Sequence, residues 1–107
     1  MSRDITVQWY RGGTDSGHQM SLDLIPMQID DLSDAEAALY GGEEPYFLYK
    51  GFVNTLTYAF RFKDTLINPN ETDSITNEPT QYTIIAEPRF RTMSNYVRMT
   101  LQKVVGT

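Results

Sequence analysis

"NYVRMTLQKVV", Asn95 to Val105, is the stretch on which the fold turns. Val97, Met99, Leu101 and Val105 are apolar, and Arg98, Thr100 and Gln102 between them are polar. A period of two sends alternate side chains to opposite faces of a strand, so one face belongs in a core and the other in water. Ser94 and Asn95 mark a turn before it.

Working outward, the same pattern recurs. "ITVQWY", Ile5 to Tyr10, sets Ile5, Val7 and Trp9 against Thr6, Gln8 and Tyr10. "MSLDLIPMQI", Met20 to Ile29, alternates around Leu22 and Leu24, and then Pro26 shifts the phase to Met27 and Ile29. A proline inside a strand predicts an edge or a bulge at that point. "PYFLYKGFV" (Pro45 to Val53), "TYAFRFKDTLI" (Thr57 to Ile67) and "QYTIIAEP" (Gln81 to Pro88) read as further strands. One helix interrupts them at about Asp34–Tyr40. Ser33 with Glu36 three residues later forms a capping box, Leu32 and Ala37 hold the staple positions, and Gly41 or Gly42 ends it. So short a helix must pack on the sheet, through Ala38 and Leu39. About six strands, one short helix and turns between them predict a mainly β fold, a small β-barrel or sandwich.

The 107 residues form one domain, and none of them is cysteine, so no disulfide framework or thiolate site is expected. No apolar run resembles a signal peptide or reaches the length of a membrane span. A net charge of −5 argues against tight binding to phosphate backbones.

No catalytic, cofactor-binding or metal site emerges. "DDLSD", Asp30 to Asp34, reads as acids in the first turn of a helix rather than a metal motif, because Ser33 is needed as the cap. "GGTDSGH", Gly12 to His18, lacks the Gly-Lys-Ser/Thr ending of a phosphate loop and precedes no helix. His18 has no cysteine partner, and Glu43, Glu44, Asp64 and Asp73 are scattered. Two features stand out. Arg89, Phe90, Arg91 and Arg98 gather in "EPRFRTMSNYVR", either as a solvated face or as a docking patch. Asn68 to Thr80 is polar and long for a hairpin connection, and it is expected to be a loop too polar to bury. Its Asn68, Asn70, Glu71, Asp73, Ile75 and Asn77 either decorate a passive surface loop or touch a neighbouring subunit, the lumen of a ring or a tail.

The order of elements resembles the head-closure (stopper, or head–tail connector) proteins of tailed phages. The matching positions are Asp64 with Leu66 and Ile67, then Tyr82 with Ile84 and Ile85, then the strand from Tyr96 to Val105. Where that family often has a tight Gly-containing turn between the Asp and the Tyr strand, this chain has the glycine-free Asn68–Thr80 segment. The resemblance implies a non-enzymatic, barrel-like virion neck subunit, present in the host cytoplasm during assembly. It would form a homo-oligomeric ring beneath the portal, with the portal or an adaptor on one side and a tail or tail-terminator protein on the other. Double-stranded DNA would pass through its lumen without specific binding, and no membrane is involved. A small monomeric ligand-binding or adaptor module is the competing expectation.

Overall fold

Inward-pointing alternate positions of the strands assemble the core. In a computed structural model, which describes residues 3–12, 18–40 and 47–104, eight strands form: β1 (Arg3–Arg11), β2 (His18–Gln19), β3 (Ile25–Asp31), β4 (Leu48–Val53), β5 (Thr65–Thr72), β6 (Pro79–Ile84), β7 (Arg89–Arg91) and β8 (Tyr96–Lys103). Six of them pair antiparallel in the order β1–β3–β4–β8–β6–β5, and β5 pairs back on β1 to close a barrel. Closure removes the open edges that would otherwise invite pairing with other chains. β2 and β7 lie outside the ring of strands, on β1 and β8.

The barrel is filled with side chains. Val7, Ile25, Met27, Leu66, Tyr82, Ile84, Val97, Met99 and Leu101 are all at most 2 % exposed. Gly51 sits between Ile29 of β3 and Met99 of β8. A Cβ there would stand 2.9 Å from the Met27 sulfur and 3.1 Å from Leu101 Cδ1, so the interior has no room for one. The predicted alternation of Val97, Met99 and Leu101 holds, and Val105 lies outside the described residues.

Four boundaries differ from the sequence reading. β3 begins at Ile25, leaving Leu22 and Leu24 exposed, and its register with β1 runs unbroken past Pro26. Pro26 lies beyond the β4 pairing, which starts at Gln28, so its missing N–H costs no ladder bond on that side. The break occurs at a different strand proline: the β5–β6 register shifts between Asn68 and Thr72, around Pro69. Residues 54–64 are not a strand. Tyr58 and Phe60 instead turn their rings onto Trp9, with centroids 6.0 and 4.7 Å away, and cover the core there.

The helix is α over Asp34–Ala37 and 3₁₀ over Ala38–Tyr40. Its capping box is formed, with Glu36 N donating to Ser33 Oγ at 3.2 Å and Ser33 N to Glu36 Oε1 at 3.3 Å. Leu32 and Ala37, rather than Ala38 and Leu39, bury themselves, packing on Leu48 of the barrel's outer face. Gly41, Gly42 and the Pro45–Tyr46 start of the expected third strand lie outside the described residues.

Asp64 ties the barrel shut. Its carboxylate is 2 % exposed and accepts hydrogen bonds from Trp9 Nε1 at 2.8 Å, Arg61 N at 2.8 Å, and Arg11 Nε and Nη2 at 3.2 and 3.3 Å. Trp9 and Arg11 belong to β1, and Asp64 leads into β5, so these bonds staple the closing seam. Replacing Asp64 with Ala leaves Arg11 without its anion and the Trp9 N–H without an acceptor. Losing one partner of a buried charged network typically costs about 3–5 kcal/mol. Urea unfolding followed by fluorescence of Trp9, the only tryptophan, should show that loss for Asp64→Ala. Exposed Asp23→Ala should be near neutral.

Candidate interaction surface

β7 was not visible as a strand in the sequence, and it organises the arginines. It pairs with β8 in the register Arg89↔Arg98, Phe90↔Val97 and Arg91↔Tyr96. The turn between the two strands uses Asn95 at φ 56°, a left-handed conformation that Asn accepts more readily than most residues, and Ser94 N donates to Arg91 O at 3.2 Å. Directly opposed residues share a face, so Arg89 lies beside Arg98 and Phe90 beside Val97.

Two arginines directly opposed should repel each other. Glu36 resolves this by taking Arg98 Nη2 on one oxygen and Lys50 Nζ, at 3.2 Å, on the other. The helix therefore does electrostatic work: its capping glutamate pairs with two cations of the barrel wall and offsets one of their two charges. Hydrogen bonds from Lys50 and then from the Ser33 backbone and hydroxyl lower the Glu36 carboxyl from 4.5 to about 2. Arg98 is thus paired within the chain, at the edge of the expected docking patch. Arg89 and Arg91 stay exposed.

Apolar groups accompany them. Phe90 is 42 % exposed, and Met93, in the turn, is fully exposed. Across a groove of about 520 Å³ lined by Pro88, Arg89 and Arg98, Leu39 of the helix is 81 % exposed. Single exposed apolar side chains are ordinary, but this group shares one ribbon and the lip of one groove with two free-standing arginines. Aromatic, Met and Arg side chains are the types enriched where proteins meet.

The other sequence candidates fare differently. The expected Asn68–Thr80 loop is mostly a strand pair, with only residues 73–78 in the turn. Asn68 is buried, and its Oδ1 accepts from Asn70 N at 3.0 Å. Asn70 Nδ2 donates to Thr6 Oγ1 at 3.2 Å, and Glu71 pairs with Arg3 at 2.9 Å. Asp73 is buried, with Oδ1 accepting from Ile75 N at 2.8 Å and Thr76 N at 3.2 Å and Oδ2 facing Lys103 at 3.3 Å. Those backbone N–H groups first, and Lys103 after them, hold its carboxyl below the usual range. Asn77 completes the turn at φ 59°. Side-chain bonds to the backbone hold the polar run that apolar burial would not, so a segment expected to be too polar to bury is partly buried. Of the six candidates there, Asn70, Asn77 and Ile75, the last 80 % exposed, face solvent. Among the described residues, no group of three or more His, Asp or Glu is placed to hold a metal ion.

No known family model matches the chain, and neither does any curated protein or solved structure.

The Glu36 bridge has a pH signature. Its folded pKa lies below its ordinary value, so the ionised form stabilises the fold above about pH 4.5, and that stability is lost as pH falls toward about 2. Glu36→Gln should therefore melt below the parent at pH 7, and the gap should close between these two pH values. A gap that stays constant with pH would show that packing, not charge, holds the helix.

Proposed function

We propose that the chain is a structural neck subunit of a tailed phage, of the head-closure type, which assembles into a homo-oligomeric ring beneath the portal. The ring extends or closes the DNA tunnel and joins head to tail. One face meets the portal or an adaptor, and the other meets the tail or a tail-terminator protein. The observation that carries this reading is the exposed Arg89–Phe90–Arg91 strand with Met93 at its tip, set on a barrel whose interior is occupied. What the molecule offers to others is its outside.

The physical mechanism is steric. A closed, packed barrel is a stiff building block, because side chains already at crystal-like density resist deformation. Copies of it around an axis leave a channel, and surface loops set the channel's bore. No covalent step is required of any residue. The net charge of −5 suits such a channel, since a wall lacking clustered cations lets a polyanion slide past. The competing reading, a monomeric carrier of a small ligand, fits less well. Tyr82, Met27, Met99 and Leu101 take up the volume that a carrier barrel keeps open for its cargo.

Electron microscopy and light scattering of the concentrated protein, alone and with the portal assembly, test the reading. Rings with a central hole are expected. Arg89→Glu with Arg91→Glu should abolish them while leaving the melting temperature unchanged. Misplaced like charges at an interface cost several kcal/mol, against about 8 kcal/mol for a micromolar contact. A protein that stays monomeric with every partner, or rings that form equally well with the double variant, would overturn the role given to this strand.

A further inference from the structure

We infer that the β7–β8 ribbon of one copy plugs into a specific pocket beside β3 of the next, making a head-to-tail joint; this rests on the ring reading above.

The ribbon is a two-sided plug. Phe90 lies on the face of Val97, Arg89 and Arg91 lie on the other, and Met93 caps the tip. Its counterpart must offer an apolar hole with an acidic rim. One pocket has that composition. It encloses about 250 Å³ between Ile25, Met27, Val53 and Tyr58, with the exposed Asp4 and Asn54 at its edge. An apolar cavity of about 150 Å³ already accepts a benzene ring, so this one has room for the Met93 or Phe90 side chain. Asp4 supplies the anion for an arginine, and forked arginine–carboxylate pairing fixes orientation as well as attraction.

The two patches do not overlap. The ribbon hangs on β8, and the pocket is bounded by β1, β3 and the end of β4. The ladder links them through the partners Val97↔Val53, Phe52↔Gln28 and Met27↔Ile5, so the rigid wall of the barrel sets their spacing. A plug and a socket on different parts of one surface give a heterologous contact, which propagates from copy to copy and closes into a ring when the rotation permits. A two-fold dimer in which each ribbon enters the other copy's pocket is the alternative, and it would stop at two copies.

The chain has no cysteine, so introduced ones report contacts without background. Met93→Cys and Asn54→Cys both change exposed residues, and Trp9 fluorescence melts confirm that each variant folds. The chain carrying both substitutions, treated with a short bismaleimide at concentrations where light scattering detects assembly, should give a ladder of dimer, trimer and higher species. A mixture of the two single variants should stop at dimer, and each single variant alone should stay monomeric. Self-crosslinking of Met93→Cys alone would overturn the joint in favour of a two-fold contact. Assembly without a ladder would overturn the joint while leaving the ring reading in place. A protein monomeric at every concentration and with the portal would overturn both.

Discussion

The closing seam between β1 and β5 is the constraint on which the rest depends. A six-stranded sheet that failed to close would expose two edges and half of its core. Three register pairs, Gln8↔Ile67, Trp9↔Leu66 and Tyr10↔Thr65, make the closure. So few backbone pairs need support, and Asp64 supplies it. One buried carboxylate accepts from the indole, from the Arg11 guanidinium and from the backbone of its own turn. Its backbone carbonyl also accepts from Ile84 N at 3.0 Å, and Lys63 N donates to Ile84 O at 2.8 Å, so β6 is held at the same point. The turn has a conformational cost: Lys63 sits at φ 73°, where a β-carbon is crowded, and the network around it keeps it there. Tyr58 and Phe60 then lie over Trp9 because the Arg11 guanidinium holds the carbonyl of Ala59 at 2.8 Å.

A barrel closed and filled in this way has its chemistry on the outside. The helix shows how the surface is apportioned. Glu36 serves its own N-terminus, then Lys50, then Arg98, and so engages two cations of the surface with one carboxylate. Arg89 and Arg91, on a strand carried only by β8, have no such partner among the described residues and stand beside Phe90 and Met93. A strand on a single neighbour is also the least constrained part of the sheet, because most of its backbone groups face water.

Much of this was legible in the sequence where periodicity was strong. The alternation of β1 and β8, the capping box and the clustering of arginines all follow from residue spacing, and the barrel follows from their number and order. Errors arose where a local pattern imitated another. Phe60 and Phe62 alternate like strand residues, yet Phe60 belongs to a loop folded onto Trp9 and Phe62 is 44 % exposed. Asn68 to Thr80 looked unburiable because only its aliphatic content was weighed. Asn68, Asp73 and Thr80 are nonetheless buried, and Asn68 and Asp73 accept backbone N–H groups as turn-forming side chains do. An edge or a bulge was expected at Pro26: β3 is an edge there, lying beyond its β4 pairing, and the bulge falls at Pro69. The importance of Asp64 had only one faint signal, a carboxylate just before the Thr65–Ile67 apolar run. Its partners Trp9 and Arg11 stand more than fifty positions away, so no local reading joins them.

The central claim is a rigid closed barrel whose proposed contacts lie on an outlying ribbon. Amide hydrogen exchange, measured on the free subunit and on the proposed ring, tests it most directly. The account predicts that the Lys63 and Ile84 amides at the seam exchange only through global unfolding in both states. The amides of Arg89 to Arg91 should exchange quickly in the free subunit and become protected in the ring. A seam that opens well below the global unfolding energy, or a β7 whose exchange is unchanged by assembly, would contradict it.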